Sequence, residues 1–391
     1  NLVSEGDENW IEDGWFGGNL RNLNISGEGA LHIQGNLDES FVDSRPATID
    51  ASENTGGVDL TLSGHGNDQS DVVELLGSDA GDSFTAQNNQ SVRIVGGDGD
   101  NVFNTDGTVV SSSITSGAGD DWISSIGVTE TVSIDAGDGD NEVMAVAAEV
   151  DLATGAGEDE SLVVAAEMSI STGDGDDALP VSGSPSLAGP IAEALVDIDL
   201  GSGADELQLG DQFAAAPHSN GGLLALDGSS IAGESIHLDV DYDSDLSRAS
   251  LTGITSVTLA GEQPLATPEQ GELTLTAQQF SDIGAAGFSV DRESFGETQD
   301  LIIVVTEDAT LSDLVTLAEL SANVRLSFDI RNGATLTLSA EELHTYVAAD
   351  GIDSTDGLNG KVVITDAGLT FDPFDDEGSA VVIPGGPAVP A

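Results

Sequence analysis

The chain has no cysteine, which excludes disulfides, thiolate zinc sites and cysteine-held iron–sulfur clusters. It is nearly as poor in positive charge. Eight lysines and arginines stand against 71 acidic residues, a formal net charge of −63, and Lys361 is the only lysine. Such a surface repels nucleic-acid phosphates and anionic lipid heads, so neither is an expected partner. No stretch approaches the roughly 18 apolar residues of a membrane span, so membrane insertion is not expected. Aromatics make up only 4% of the residues, too few for a core built on rings. The opening NLVSEGDENW lacks both a methionine and an apolar leader, the expectation for a mature or trimmed product.

What is present points elsewhere. Apolar residues form 39% of the 391 and glycine contributes 49, enough for a thin aliphatic core with many tight turns and too much for a disordered acidic tail. The like charge opposes compaction and calls for bound divalent cations or a salty medium to neutralise it. An extracellular chain without disulfides needs another staple, and calcium is the expected one.

An internal repeat organises the middle of the chain. GGDGDN starts at Gly96, GAGDDW at Gly117, GDGDNE at Gly137, GAGEDE at Gly155, GDGDDA at Gly173 and GSGADE at Gly201. The glycines at 97, 117, 137, 155, 173 and 201 are spaced by 20, 20, 18, 18 and 28 residues. The long last step carries Pro180, Pro185 and Pro190, which a regular ladder strand is not expected to hold. Before each turn lie the pairs Val92 and Ile94, Ser112 and Ile114, Val132 and Ile134, Val150 and Leu152, Met168 and Ile170, and Val196 and Ile198. Only Ser112 among them is polar. Alternation locked to a turn predicts strands with one face inward, and coils that bury that face only by stacking.

The turns suit calcium, which takes six to eight hard oxygens at about 2.3–2.6 Å. A Gly-x-Gly turn lets carbonyls point inward where a Cβ would obstruct them. An Asp or Asn further on adds a side-chain oxygen, and the next coil about 4.8 Å away completes the cage. The candidate ligands are the turn residues Gly97, Gly99, Gly117, Gly119, Gly137, Gly139, Gly155, Gly157, Gly173, Gly175, Gly201 and Gly203. Asn101, Asp121, Asn141, Asp159, Asp177 and Asp205 supply the side chains, with Asp68 upstream. Asp98, Asp138 and Asp174, and likewise Asp100, Asp120, Asp140 and Asp176, add either ligands or negative potential.

GGDGDNVF, SGAGDDWI and LGSGADEL resemble the glycine- and aspartate-rich nonapeptide of RTX (haemolysin-type) calcium-binding proteins. Phe103, Ile123 and Leu207 match its large apolar position. The resemblance covers residues 60–210 and implies a parallel β-roll with calcium between consecutive turns of one edge. The flanking TIDASENTGGVDLTLSG and LTGITSVTLAG are similar to RTX-containing bacterial surface-layer proteins. The chain departs from the pattern in having one nonapeptide per 18–20 residues, so calcium is expected on one edge only. Asn at two key positions, and Leu162 one residue late in GAGEDESL, predict weaker sites near Asn101, Asn141 and Asp159.

The expected fold is mainly β: a parallel β-roll or β-solenoid with coils of 18–20 residues, then a smaller mixed α/β or β-rich domain. Residues 1–55 read as an N-terminal β cap, with Trp10, Trp15 and Phe16 as either a hydrophobic cap or a binding patch. Residues 56–212 read as the solenoid. The segments at Leu62 and Ser78 are degenerate opening coils, and the strand before Gly64 is offset by one residue. Residues 213–262 read as a short-strand connector and 373–391 as a Pro/Gly-rich tail. Between them, 263–372 reads as a duplicated strand–helix–strand domain. There LTLTAQQF at Leu273 and LTLSAEEL at Leu336 each run a strand into a capping box, Thr276 with Gln279 and Ser339 with Glu342.

No pair among His32, His65, His218, His237 and His344 has zinc-protease spacing, no Gly-x-Ser-x-Gly elbow occurs, and paired carboxylates are too abundant to mark a glycosidase. An enzyme is not expected. The expectation is a secreted, extracellular or cell-surface calcium-binding structural protein, a homo-oligomer or polymer that builds a surface layer, sheath or filament. The alternative is a calcium-stiffened adhesin segment that binds a cell-surface polysaccharide or another surface.

Overall fold

The computed structural model describes residues 1–16, 22–37, 47–63, 72–87, 91–107, 110–183, 195–209, 224–225, 230–240, 244–260, 273–291, 299–314, 316, 319–353, 361–364, 369–371 and 380–382. The chain forms two units: residues 1–207 with 230–235, and residues 208–229 with 236–391.

The first unit is a parallel β-solenoid with two strands per coil. One ladder runs from Leu2–Ser4 through alternate strands to Ser230–Val240, and the other from Glu8–Phe16 to Asp205–Leu209. Ser91, Ser111, Thr131, Glu149, Glu167 and Leu195 stand opposite one another in the first ladder. Those positions reproduce the 20, 20, 18, 18 and 28 steps of the turns, so the ladder resumes in register across the long insertion. Ile94, Ile114, Ile134, Leu152, Ile170, Ile198 and Ile231 form one inward row, and each is buried. Their outward neighbours include Arg93, Asp151 and Asp197. Each such side chain contributes about 1.5–3 kcal/mol when fully buried, which a single coil cannot achieve alone.

Several sequence expectations take concrete form here. The segment 1–55 contributes strands to both ladders, its Leu2, Asn22 and Ala47 strands joining the first. The offset strand Val58–Ser63 belongs to the second ladder, opposite Ala30–Leu37 and Ser83–Gln87. It therefore follows a turn, and its apolar set shifts accordingly. Trp10 does not cap the core: it is 63% exposed and stacks on His32 with ring centroids 4.1 Å apart. Trp15 and Phe16 lie in the same strand. Ser112, the polar exception, is accommodated by a buried hydroxyl contact with Thr105 at 2.9 Å.

Pro180 is a correction. It sits inside the ladder strand Ala178–Gly183, which pairs with Glu160–Ala165 around it. In a parallel strand each N–H faces only one neighbour, so a proline removes one hydrogen bond and the flanking pairs hold. Pro185 and Pro190 lie outside the described residues.

The second ladder's apolar row runs Phe84, Phe103, Ile123, Val143 and Ser161. Phe84 and Phe103 stack with centroids 5.6 Å apart. The register absorbs no extra residue at GAGEDESL, so Leu162 faces outward and Ser161 takes the core position. Ser161 is buried, and its hydroxyl oxygen has no hydrogen-bond partner among the described residues. Replacing Ser161→Ala removes that stranded hydroxyl. Thermal unfolding should show a gain of about 1 kcal/mol, and a loss would mean the hydroxyl is satisfied.

The second unit also winds mostly in parallel. Leu224, Ser244, Leu273, Leu301, Leu326 and Val347 stand in one row of its main ladder. A further ladder pairs Ala309–Thr310, Thr335–Leu338 and Lys361–Ile364 in parallel, then Leu369–Phe371 and Ala380–Val382 antiparallel. Short helices α1 (Ala277–Ile283), α2 (Leu311–Leu314) and α3 (Ala340–Tyr346) interrupt the coils. Both predicted capping boxes form, at Thr276 with Gln279 and at Ser339 with Glu342. The two copies nevertheless enter different ladders, Leu273–Thr276 the main one and Thr335–Leu338 the other. Eight similar residues encode a strand and a cap, whereas the spacing to neighbouring coils selects the partner. Among the described residues, no helix is long and apolar enough to cross a membrane.

Candidate metal-binding edge

The six repeat turns stack along one edge of the solenoid. Each brings two glycines, an outward residue between them, a second outward residue and an inward Asp or Asn. The turns pack backbone on backbone. Gly99, Gly119, Gly139, Gly157 and Gly175 each donate an N–H to the carbonyl of the following coil's turn, at 2.7–2.9 Å. A Cβ on Gly155 would meet the Gly137 carbonyl far inside van der Waals contact, at φ +107°. Glycine is therefore required here twice, for the left-handed backbone and for the approach of the next coil.

The inward residues form a second ladder inside the first. The backbone N–H of Asp82 donates to Asn101 Oδ1 at 3.0 Å, that of Asn101 to Asp121 Oδ1 at 2.8 Å, and that of Asp121 to Asn141 Oδ1 at 3.1 Å. The series continues from Asn141 to Asp159 at 2.9 Å, Asp159 to Asp177 at 3.0 Å and Asp177 to Asp205 at 3.2 Å. All seven side chains are 1–2% exposed. Oδ1 is thus occupied in every coil, and the coils differ in the other side-chain atom.

In the asparagine coils the amide closes its own turn. Asn101 Nδ2 donates to the carbonyls of Gly97 at 3.3 Å and Gly99 at 2.7 Å, and Asn141 Nδ2 to those of Gly137 at 3.2 Å and Gly139 at 2.9 Å. In the aspartate coils that atom is an acceptor. Oδ2 of Asp121, Asp159 and Asp177 is buried and has no hydrogen-bond partner among the described residues. The hydroxyls of Thr154 and Thr172 donate to the carbonyls of Thr172 and Leu200, at 2.8 and 3.1 Å.

The outer carboxylates are a separate, exposed row. Asp100, Asp120, Asp140 and Asp176 each accept an N–H from the next coil, at 2.8–3.1 Å. Asp98 and Asp138 accept from Ala118 and Ala156, and Asp174 from the Ser202 hydroxyl. Among the described residues, no three Asp, Glu or His side chains converge to hold a metal ion. A cation on this edge would therefore draw most of its oxygens from backbone. The donor set of the Asp121, Asp159 and Asp177 coils fits calcium in kind: a buried carboxylate oxygen lacking a donor, beside a turn rich in carbonyls. Asp68 lies outside the described residues.

No family model, curated protein or solved structure matches this chain.

One member of the inward row, Asp82, has no glycine pair to mark it in the sequence. Asp82 ends the segment GSDAGD, but Ser78 and Ala80 stand where the later turns carry their two glycines. Its Oδ1 accepts from Val58 N–H at 2.6 Å and its Oδ2 from Ser78 N–H at 2.7 Å. Burial pushes its carboxyl up to about 6 from an ordinary 3.8, against the pull of the Ser78 and Val58 N–H groups. Burial likewise raises Asp121, Asp159 and Asp177, against the pull of the backbone N–H groups of Asn101, Asn141 and Asp159.

These shifts have a sign. The fold holds these protons more tightly than the unfolded chain does, so their stabilisation is complete below the unfolded value of 3.8 and disappears as pH rises through the folded values. In calcium-free buffer, guanidinium unfolding midpoints should fall between pH 4.5 and 7.5. Asp82 alone contributes about 2 kcal/mol of that fall, at 1.36 kcal/mol per pH unit from pH 4.5 up to its folded value of about 6. Repulsion among the acidic residues acts in the same direction, so Asp82→Asn should flatten part of the fall. A midpoint that rises with pH would contradict the assignment.

Proposed function

We propose that this is a secreted calcium-binding structural protein whose solenoid self-assembles, as a homo-oligomer or polymer, into a surface layer, sheath or extracellular filament. The observation that carries this reading is the buried, donorless Oδ2 of Asp121, Asp159 and Asp177 along one stacked edge. A buried carboxylate oxygen needs a proton or a cation. Bound calcium would supply positive charge to a chain of net charge −63, and Asp121, Asp159, Asp177 and Asp205, with the glycine-turn carbonyls, would hold it. Cross-linking consecutive coils in this way stiffens a rod, a mechanical role that requires no catalytic group.

Negative-stain microscopy in millimolar calcium, then after chelation, tests the reading. Ordered sheets or filaments that dissolve in EGTA support it. Dispersed particles in both conditions would sink the assembly reading. A second reading, the calcium-stiffened adhesin, draws on Trp10. This exposed ring stacks on His32, which sits between Glu8 at 3.2 Å and Asp59 at 3.1 Å. A flat aromatic surface beside hydrogen-bonding carboxylates suits a sugar ring. Retention of dispersed protein on a glycan array, lost in Trp10→Ala, would favour it.

A further inference from the structure

We infer that Asn101 and Asn141 take the place of a cation in their own coils, so that divalent cations enter the Asp121, Asp159 and Asp177 coils and bypass these two. The inference rests on the calcium reading above and assigns it coil by coil. Two independent features carry it: the donorless buried oxygens in the aspartate coils, and what occupies the same side-chain position in the asparagine coils.

The inward ladder gives all these residues one backbone setting, because each presents Oδ1 to the N–H of the preceding coil. With Oδ1 fixed, the second atom is aimed by the planar side-chain group. In asparagine that atom is Nδ2, and it gathers the two glycine carbonyls of its turn at 2.7–3.3 Å. Asn101 Nδ2 also reaches Ser116 Oγ at 3.0 Å. The amide therefore contributes the positive end of a dipole at a place lined by oxygens. In aspartate the same place receives Oδ2, an acceptor with no donor among the described residues. A buried acceptor without a donor needs a proton or a cation beside it, and a carboxylate next to a carbonyl-rich turn suits a divalent cation such as calcium.

Asp82 shows the third solution. Both of its oxygens take backbone N–H donors, from Val58 and Ser78, so that coil needs neither amide nor cation. The stack from Asp82 to Asp177 thus reads backbone, amide, cation, amide, cation, cation. The asparagine coils keep their register without metal, and cation binding completes a ladder already partly closed.

Isothermal titration of calcium into the full chain, with melting curves in EGTA and in millimolar calcium, tests the assignment on Asp121→Asn, Asp177→Asn and Asn141→Asp. Each Asp→Asn change should remove one bound ion and raise the melting temperature in EGTA by about 2–4 °C, because the new amide closes the turn. Asn141→Asp should add one ion and lower the melting temperature in EGTA by a similar amount, with recovery in calcium. Far-UV circular dichroism checks that each variant folds; if Asp121→Asn does not, Asp177→Asn gives the same reading. A wild-type chain that binds calcium with a stoichiometry unmoved by either Asp→Asn variant would overturn the coil assignment and leave the calcium reading standing. A wild-type chain that binds no calcium would overturn the calcium reading itself.

Discussion

Chelation at low ionic strength should lower the melting temperature of the solenoid by at least about 8 °C. The estimate follows from the three coils with a donorless buried carboxylate oxygen, Asp121, Asp159 and Asp177. Calcium at ten to a hundred times a site's dissociation constant adds roughly 1.4–2.7 kcal/mol per site. Three sites together add about 4–8 kcal/mol, comparable with the whole stability margin of a domain. At about 2–4 °C per kcal/mol for a unit of this size, the loss is large and easily measured. Ionic strength matters because salt screens the repulsion within a chain of net charge −63. Calorimetric melting with and without EGTA in low-salt buffer is the measurement. An unchanged melting temperature would remove calcium from the account of this fold.

Gly173→Ala should be among the most damaging single methyls that can be added to the chain's repeat. Gly173 has φ +95°, and a Cβ there would overlap the carbonyl of Gly155, which accepts the N–H of Asp174 at 3.0 Å. The coil must shift as a whole, and its own carbonyl, which accepts from Ser202 at 2.9 Å, shifts with it. A loss of at least about 4 kcal/mol is expected, in the range reserved for steric failure of a packed interior. Gly127→Ala separates the two causes. Gly127 also has a left-handed backbone, φ +84°, but a Cβ there meets nothing within 4 Å. Its replacement should cost only the conformational strain of about 1–2 kcal/mol. Equal losses in the two variants, by denaturant unfolding, would mean that turn conformation alone demands glycine and that the coils do not rest on one another's backbones.

The parallel solenoid was legible because two signals of different period coincided. Alternation at 92 and 94, 112 and 114, 132 and 134 names strands with one inward face, and the glycine turns at 97, 117 and 137 name the coil length. Phe103, Ile123 and Leu207, marked as large apolar positions by the resemblance to the nonapeptide, are fully buried. Ser161 was harder to place, since the sequence alone favours the larger Leu162 as the core residue. Register decides otherwise: Glu142 opposite Glu160 puts Ser161 beneath Val143, and a one-residue slip would turn a whole strand inside out. Pro180 misled because the cost of a missing N–H depends on which neighbour it faced, a fact absent from the string of letters. In the second unit, the likeness between Leu273–Phe280 and Leu336–Leu343 correctly implied strand and cap but not their shared or separate ladders.

The sequence by itself determined the coil period, the inward rows and the edge on which glycine, aspartate and asparagine gather. These depend on local conformational preference and on repetition, both of which a single strand of text displays. Only the tertiary structure decided that Asn101 and Asp121, equivalent in the repeat, have opposite needs. Stacking buries both and fixes one oxygen of each against a neighbouring N–H. What remains is a donor in one coil and an acceptor in the next, and burial turns that one-atom difference into a choice between amide and cation.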